Sequence, residues 1–90
     1  MQLHYVYILK SLKDGNFYTG YTSNLEKRIS EHNEGLVAST HYRRPLALVY
    51  YEVSLNKKDA LHREIYLKTT YGKRFIKNRI KNYLVCKDIS

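Results

Sequence analysis

Ninety residues with 43% hydrophobic side chains, 27% charged ones and a single proline make one folded domain with one modest core, and exclude a disordered chain or a multidomain enzyme. Sixteen Lys and Arg against eight Asp and Glu leave a formal charge of +8 and a pI near 9.6, which points to a polyanionic partner. No apolar run approaches the ~20 residues that span a bilayer, and the start MQLHYVYILK lacks the regions of a secretion signal, so nucleic acid in the cytoplasm is expected and membrane is not.

Leu3 to Lys10 is rich in β-branched and aromatic residues, Lys13-Asp14-Gly15-Asn16 supplies turn chemistry, and Phe17 to Thr22 resumes the strand character, which predicts a β-hairpin. Ser23 or Asn24 can cap a helix that begins at Leu25, carries Glu26 in its first turn and stops at Gly35. Leu36 to Arg44 follows neither period, and after Pro45 the stretch Leu46 to Val53 reads as a third strand. Ser54 or Asn56 opens a second helix through about Lys68, and Gly72 separates it from a basic helical stretch from about Lys73 to Tyr83. The expected fold is α+β in the order β-β-α-β-α-α, a small three-stranded sheet flanked by helices. A single domain is expected over residues 1–85, with a short tail over 86–90 in which the lone Cys86 reads as a small apolar residue.

Polar residues fall where a core wants apolar ones. Leu25, Arg28, Ile29 and His32 recur at helical spacing, which turns Arg28 and His32 toward the sheet's edge; packing of the arginine stem and a backbone bond to the histidine are the plain structural alternatives. Glu64 falls among Ala60, Leu61, Ile65 and Leu67 on the buried side of the second helix. A half-buried carboxylate needs a cation, either Arg28, a lysine or a metal ion, and one carboxylate with waters is a common way to hold Mg²⁺ beside a phosphate. The ten tyrosines exceed core needs, and Tyr5 and Tyr7 share one face of their strand. Tyr, Arg, His and Glu together can activate a water, neutralise phosphorane-like charge and position a metal.

Tyr5-Val6-Tyr7, ten intervening residues and Tyr18-Thr19-Gly20 resemble the paired signature of the GIY-YIG nucleases. The likeness continues through Leu25-Glu26-Lys27-Arg28 with His32, Thr40, Arg43-Arg44-Pro45, Leu48 to Glu52, and Glu64 with Leu67-Lys68, covering about residues 3 to 80. It is strongest to the small stand-alone bacterial members, which are similar to nuclease modules of excision-repair proteins and of some homing endonucleases. The resemblance implies an antiparallel sheet and a DNA endonuclease using one Mg²⁺ or Mn²⁺. It implies Tyr7 as general base or orienter of the attacking water, Tyr18 as its partner hydroxyl, Gly20 as a packing position needing no side chain, Arg28 as stabiliser of the pentavalent phosphate and Glu64 as metal ligand. His32 joins the set by likeness to the homing enzymes, and His41 is left aside. Tyr5 and Val6 replace the signature's opening glycine and isoleucine, and Thr19 its second isoleucine.

Arg43, Arg44, Lys68, Lys73, Arg74 and Lys77 are candidates for binding the phosphate backbone, against the plain reading of a solvated basic face. No zinc-finger spacing or helix-turn-helix is present to read sequence, so selectivity for nucleic-acid structure is expected, with DNA favoured over RNA. A catalytically weak binding module of the same fold, and a protein whose basic surface meets an acidic protein, stay open as alternatives.

Overall fold

A computed structural model describes the backbone of residues 1–89 and the side chains of residues 1–85. Strands β1 (His4–Ser11), β2 (Phe17–Thr22) and β3 (Leu46–Ser54) form one antiparallel sheet in the order β2-β1-β3. As the central strand β1 is covered on both faces, its middle residues Val6, Tyr7, Ile8 and Leu9 are all buried, so the segment reads as a continuous apolar run.

Alternation along β1 divides the core in two. Val6 and Ile8 pack with Ala60, Leu67, Ile76 and Ile80 under helices α2 (Lys57–Leu67) and α3 (Thr70–Arg79), while Tyr7, Leu9 and Leu46 pack with Leu25 and Ile29 of helix α1 (Leu25–Asn33). Each fully buried aliphatic side chain here contributes roughly 1.5–3 kcal/mol.

Local chemistry sets the boundaries. The Ser11 hydroxyl accepts from the amides of Lys13 and Asp14 and donates to the Arg43 carbonyl, and Gly15 takes φ +76° to close the hairpin. Asn24, not Ser23, caps α1 by accepting from the Lys27 amide; Gly35 follows its end at φ +81°. The Asn33 side-chain amide bonds both the N–H and the C=O of Leu46, tying α1 to β3. Asn56, not Ser54, caps α2.

Three expectations need correction. Gly72 lies inside α3 and is buried where a Cβ would meet Leu67 Cα at 2.5 Å; the helix break falls instead at Lys68-Thr69, with the Thr69 hydroxyl accepting from the Gly72 amide. The basic stretch is two helices, α3 and α4 (Lys81–Ile89), parted at Ile80. Cys86 and residue 90 lie outside the described side chains. Leu61 and Ile65 are exposed, Ile65 by 66%, because α2 buries a narrow stripe through Ala60 and Leu67.

Candidate active site

Tyr7 stands at the centre of β1, opposite Gly20 of β2, and its ring projects toward α1. A Cβ at position 20 would lie 2.5 Å from Tyr7 Cζ, so glycine there makes room for the phenol. The Tyr7 hydroxyl is 2.8 Å from His32 Nε2, and His32 Nδ1 is 2.7 Å from Thr40 Oγ1. Tyr7 is 1% exposed, and His32 and Thr40 are fully enclosed.

Counting protons fixes the direction of this chain. The Thr40 hydroxyl reaches the Val37 carbonyl at 3.5 Å and the enclosed Tyr7 phenol needs an acceptor; the tautomer that serves both has His32 Nδ1–H donating to Thr40 and the Nε2 lone pair accepting the Tyr7 proton. The other tautomer would leave the enclosed phenol proton without an acceptor, a cost of ~1–3 kcal/mol. Burial, with the adjacent Arg28 charge, pushes the His32 pKa down to about 4, so the ring is neutral at pH 7. Burial pushes the Tyr7 phenol up to about 12 although the Arg28 guanidinium pulls the other way, so Tyr7 keeps its proton.

Tyr18 lies beside this pair, its ring centroid 5.1 Å from that of His32 and 6.4 Å from that of Tyr7, and it is only half-buried. The Ser39 hydroxyl donates to its phenol oxygen at 3.4 Å. Arg28 extends from the same helix as His32, pairs with Glu31 at 3.2 Å and stays half-exposed beside the Tyr7 hydroxyl. Glu64 acts on Tyr7 electrostatically from α2. Its side chain is 18% exposed and one oxygen lies 3.2 Å from Lys68 Nζ, so of the cations considered for it the lysine, not Arg28, is its protein partner. The structure thus gathers Tyr7, Tyr18, Arg28 and His32 in one neighbourhood, while Glu64 stands on α2 beside Lys68 and reaches Tyr7 through its charge.

The six basic candidates divide. Lys73 and Lys77 are exposed on α3, and the Arg74 guanidinium lies 5.8 Å from the centroid of the Tyr71 ring. Lys68 serves Glu64. Arg43 and Arg44 do not present free bidentate forks: Arg43 donates to Asp14 at 3.0 Å and to the Phe17 carbonyl, and Arg44 donates to the His41 carbonyl at 2.9 Å. His41 bonds the Gly35 carbonyl, away from the Tyr7 chain.

The residue with no expected role is Thr40, which sits in the aperiodic segment before β3 and finds His32 only through the fold. A second unforeseen feature holds α2 to β3. Arg63 donates to both carboxylate oxygens of Glu52, at 2.9 and 2.9 Å, and the Tyr50 hydroxyl adds a third bond.

Among the described residues no three His, Cys, Asp or Glu side chains converge as a metal cluster. The donor set at the centre is one half-buried carboxylate open to water, which fits a hard divalent cation that keeps most of its waters and does not fit a structural zinc.

The profile of the GIY-YIG catalytic domain matches residues 3–81. A UPF0213 protein of Staphylococcus saprophyticus is 51% identical over 70 residues, covering 77% of this chain and 84% of the relative. A UPF0213 protein of Clostridium perfringens is 54% identical over 67 residues, covering 73% and 71%. The solution NMR structure of the UPF0213 protein BH0048 from Bacillus halodurans aligns with a TM-score of 0.54 at 35% identity, over 84% of this chain and 83% of that one. Two tyrosine-bearing strands set against a glycine, under a helix that carries arginine and histidine, are the part of the fold to which this match gives a name: the chain belongs to the GIY-YIG family of nuclease-type catalytic domains.

Proposed function

We propose that the protein is a metal-dependent endonuclease that hydrolyses DNA phosphodiesters and selects its substrate by structure. The observation that carries this reading is the 2.8 Å bond from the Tyr7 hydroxyl to a neutral His32, beside Arg28 and within reach of the Glu64 charge. A tyrosine near pKa 12 is a poor base if it must first ionise. Here it need not: the attacking water gives its proton to Tyr7 Oη as the phenol proton passes to His32 Nε2, and no free tyrosinate forms. The acidity of His32 falls when the phosphate's negative charge approaches, which favours transfer.

Tyr18, half open to solvent, orients the water from the other side. Arg28 neutralises charge on the pentavalent phosphorus, a contribution of order 10²–10³ in rate, and the P–O bond to the leaving oxygen breaks in line. Glu64 would hold one Mg²⁺ or Mn²⁺, with Lys68 yielding its place on the carboxylate; the ion, when bound, polarises the phosphate and stabilises the departing oxygen. Lys73, Arg74 and Lys77 supply sequence-independent backbone affinity.

The test is cleavage of labelled single-stranded, duplex, flap and junction DNA with and without Mg²⁺ or Mn²⁺, beside Glu64→Ala. Metal-dependent cutting by the parent alone is expected. Tight binding without cutting on every substrate would return the protein to the binding-module reading.

A further inference from the structure

The Tyr7–His32 pair and the basic helix occupy different sides of the sheet, with Glu64 carried by α2 on the α3 side. Phe17 and Tyr18 are consecutive in β2, so their side chains point to opposite faces. Tyr18 joins Tyr7 and the α1 side, whereas Phe17 packs on the α2 and α3 side. On that second side Gly15, Asn16, Phe17, Arg43, Lys73 and Lys77 line a cleft of about 470 Å³.

Three cations face this cleft against one carboxylate, Asp14, which anchors the Arg43 guanidinium by a single N–H. A guanidinium carries five N–H donors, and the other recorded bond is a long one of 3.4 Å to the Phe17 carbonyl, so Arg43 is held in place with donors to spare. Lys73 and Lys77 sit one helical turn apart, and with Thr70 and Arg74 they continue the basic surface along α3. At its far end Tyr71 is 70% exposed beneath Arg74, a ring available for a base to stack on.

We propose that this cleft and the α3 surface hold a single-stranded arm of the nucleic acid, on the face of the sheet opposite Tyr7 and His32, the pair that meets the reacting phosphate. The inference rests on the nuclease reading for the position of that phosphate. Two adjacent residues of β2 border the two sites, and consecutive Cα atoms are only ~3.8 Å apart, so a strand reaching both must turn around the edge of the sheet within a few nucleotides. Duplex DNA has a persistence length of ~150 bp and cannot make that turn without a kink; a single strand turns at each phosphate. Lysine ammonium groups and a stacking ring suit a strand held without regard to sequence.

The experiment measures binding in EDTA, so that cutting is not required. The probes are a labelled DNA hairpin without an arm, the same hairpin with a short oligothymidylate arm, and the same with an oligouridylate arm. The parent should bind an armed hairpin more tightly than the blunt one, and comparison of the two arms distinguishes DNA from RNA as the source of the strand. Lys73→Gln/Lys77→Gln, two exposed substitutions checked by circular dichroism, should lose roughly tenfold on the armed hairpin near 0.1 M salt, with a log–log salt slope shallower by about 1.4. The blunt hairpin, which has no strand to enter the cleft, should lose clearly less than the armed one. Equal losses on both probes, or none on either, would overturn the proposal. Preference for the arm in a parent that never cuts would keep the cleft and remove the nuclease reading.

Discussion

The Tyr7 phenol fills the space that any side chain at Gly20 would occupy, a Cβ there lying 2.5 Å from Tyr7 Cζ. The two residues face each other across β1 and β2, and the phenol oxygen is fixed from the far side by His32. Gly20→Ala must therefore push the ring away from His32, with an expected cost of ~1–3 kcal/mol from overpacking and loss of cleavage. Gly15→Ala is the control: nothing lies within 4 Å of its Cβ, and only the φ of +76° is strained, which costs ~1–2 kcal/mol. Urea denaturation and cleavage assays of both variants check this; a Gly20→Ala protein that cuts like the parent would break the link between glycine and phenol.

Tyr7→Phe removes one oxygen from a closed chain and leaves His32 Nε2 without a donor inside the core. A loss of ~1–3 kcal/mol in stability is expected from the orphaned acceptor, together with a rate loss of order 10²–10⁴ if the phenol relays the proton. Tyr18→Phe should leave stability nearly unchanged, since its one recorded bond is a 3.4 Å contact from Ser39 at the surface, while still slowing cleavage. If Tyr18→Phe were the more destabilised of the two, the assignment of the buried relay would be wrong.

What could be read from the chain follows the range of the interactions. The hairpin that brings the two tyrosine-bearing strands together and the helical spacing that joins Arg28 to His32 are local, and both are legible, whereas the register that faces Tyr7 with Gly20 is found only in the structure. Glu64 lies on the buried stripe of α2, but two of the aliphatic residues around it do not: the stripe runs Ala60, Glu64, Leu67, and Leu61 and Ile65 face water. Hydrophobicity alone does not tell which side of a short helix the sheet will cover. Gly72 looked like punctuation because the reason for a glycine there, the backbone of Leu67 pressed against it, lies in another helix. Arg43 and Arg44 looked free because their acceptors, Asp14 and the His41 carbonyl, are met only through the fold of the loop.

Thr40→Val keeps shape and removes the hydroxyl that accepts from His32 Nδ1–H. The ring then loses the bond that selects its tautomer, and Nε2 no longer presents a lone pair to Tyr7 by default. Ring nitrogen shifts in a heteronuclear NMR spectrum should move away from the pure Nδ1–H form, and cleavage should slow; Thr40→Ser should restore both. An unchanged tautomer in Thr40→Val would mean that Tyr7 alone sets it.

Arg63→Gln breaks the clamp between α2 and β3. Burial pushes the Glu52 carboxyl up, but the bonds from Arg63 and Tyr50 outweigh it and hold the pKa below the usual carboxylate value. Without Arg63 a half-buried carboxylate keeps only the Tyr50 hydroxyl, and a loss of ~1.5–3 kcal/mol is expected from bonds to a charged group. The loss of stability on acidification should also become shallower, because a Glu52 that protonates nearer its ordinary value no longer differs in proton uptake between the folded and unfolded states. Urea midpoints at pH 7 and in the acid range check this, and an unchanged acid limb would show that Arg63 does not set the Glu52 carboxyl.

His32 gives stability a second, separate dependence on pH. In the unfolded chain a histidine takes its proton near pH 6.5, whereas burial and the Arg28 charge hold the folded ring down to about 4. Between these values the unfolded state binds one proton more than the folded state, so stability falls as pH falls, by about 1.4 kcal/mol per unit and ~3 kcal/mol in all. Above about pH 7.5 both states are neutral and below about pH 3 both are charged, so this slope ends on each side. Asp14 and Glu52, whose carboxyls are both held below the ordinary range, act at the lower end of that window and beneath it. Urea unfolding from pH 7.5 to 4.5 should show the one-proton slope in the parent and its absence in His32→Gln. A slope of the same size in the variant would assign the proton uptake to another group and remove the argument that His32 is held neutral to receive the Tyr7 proton.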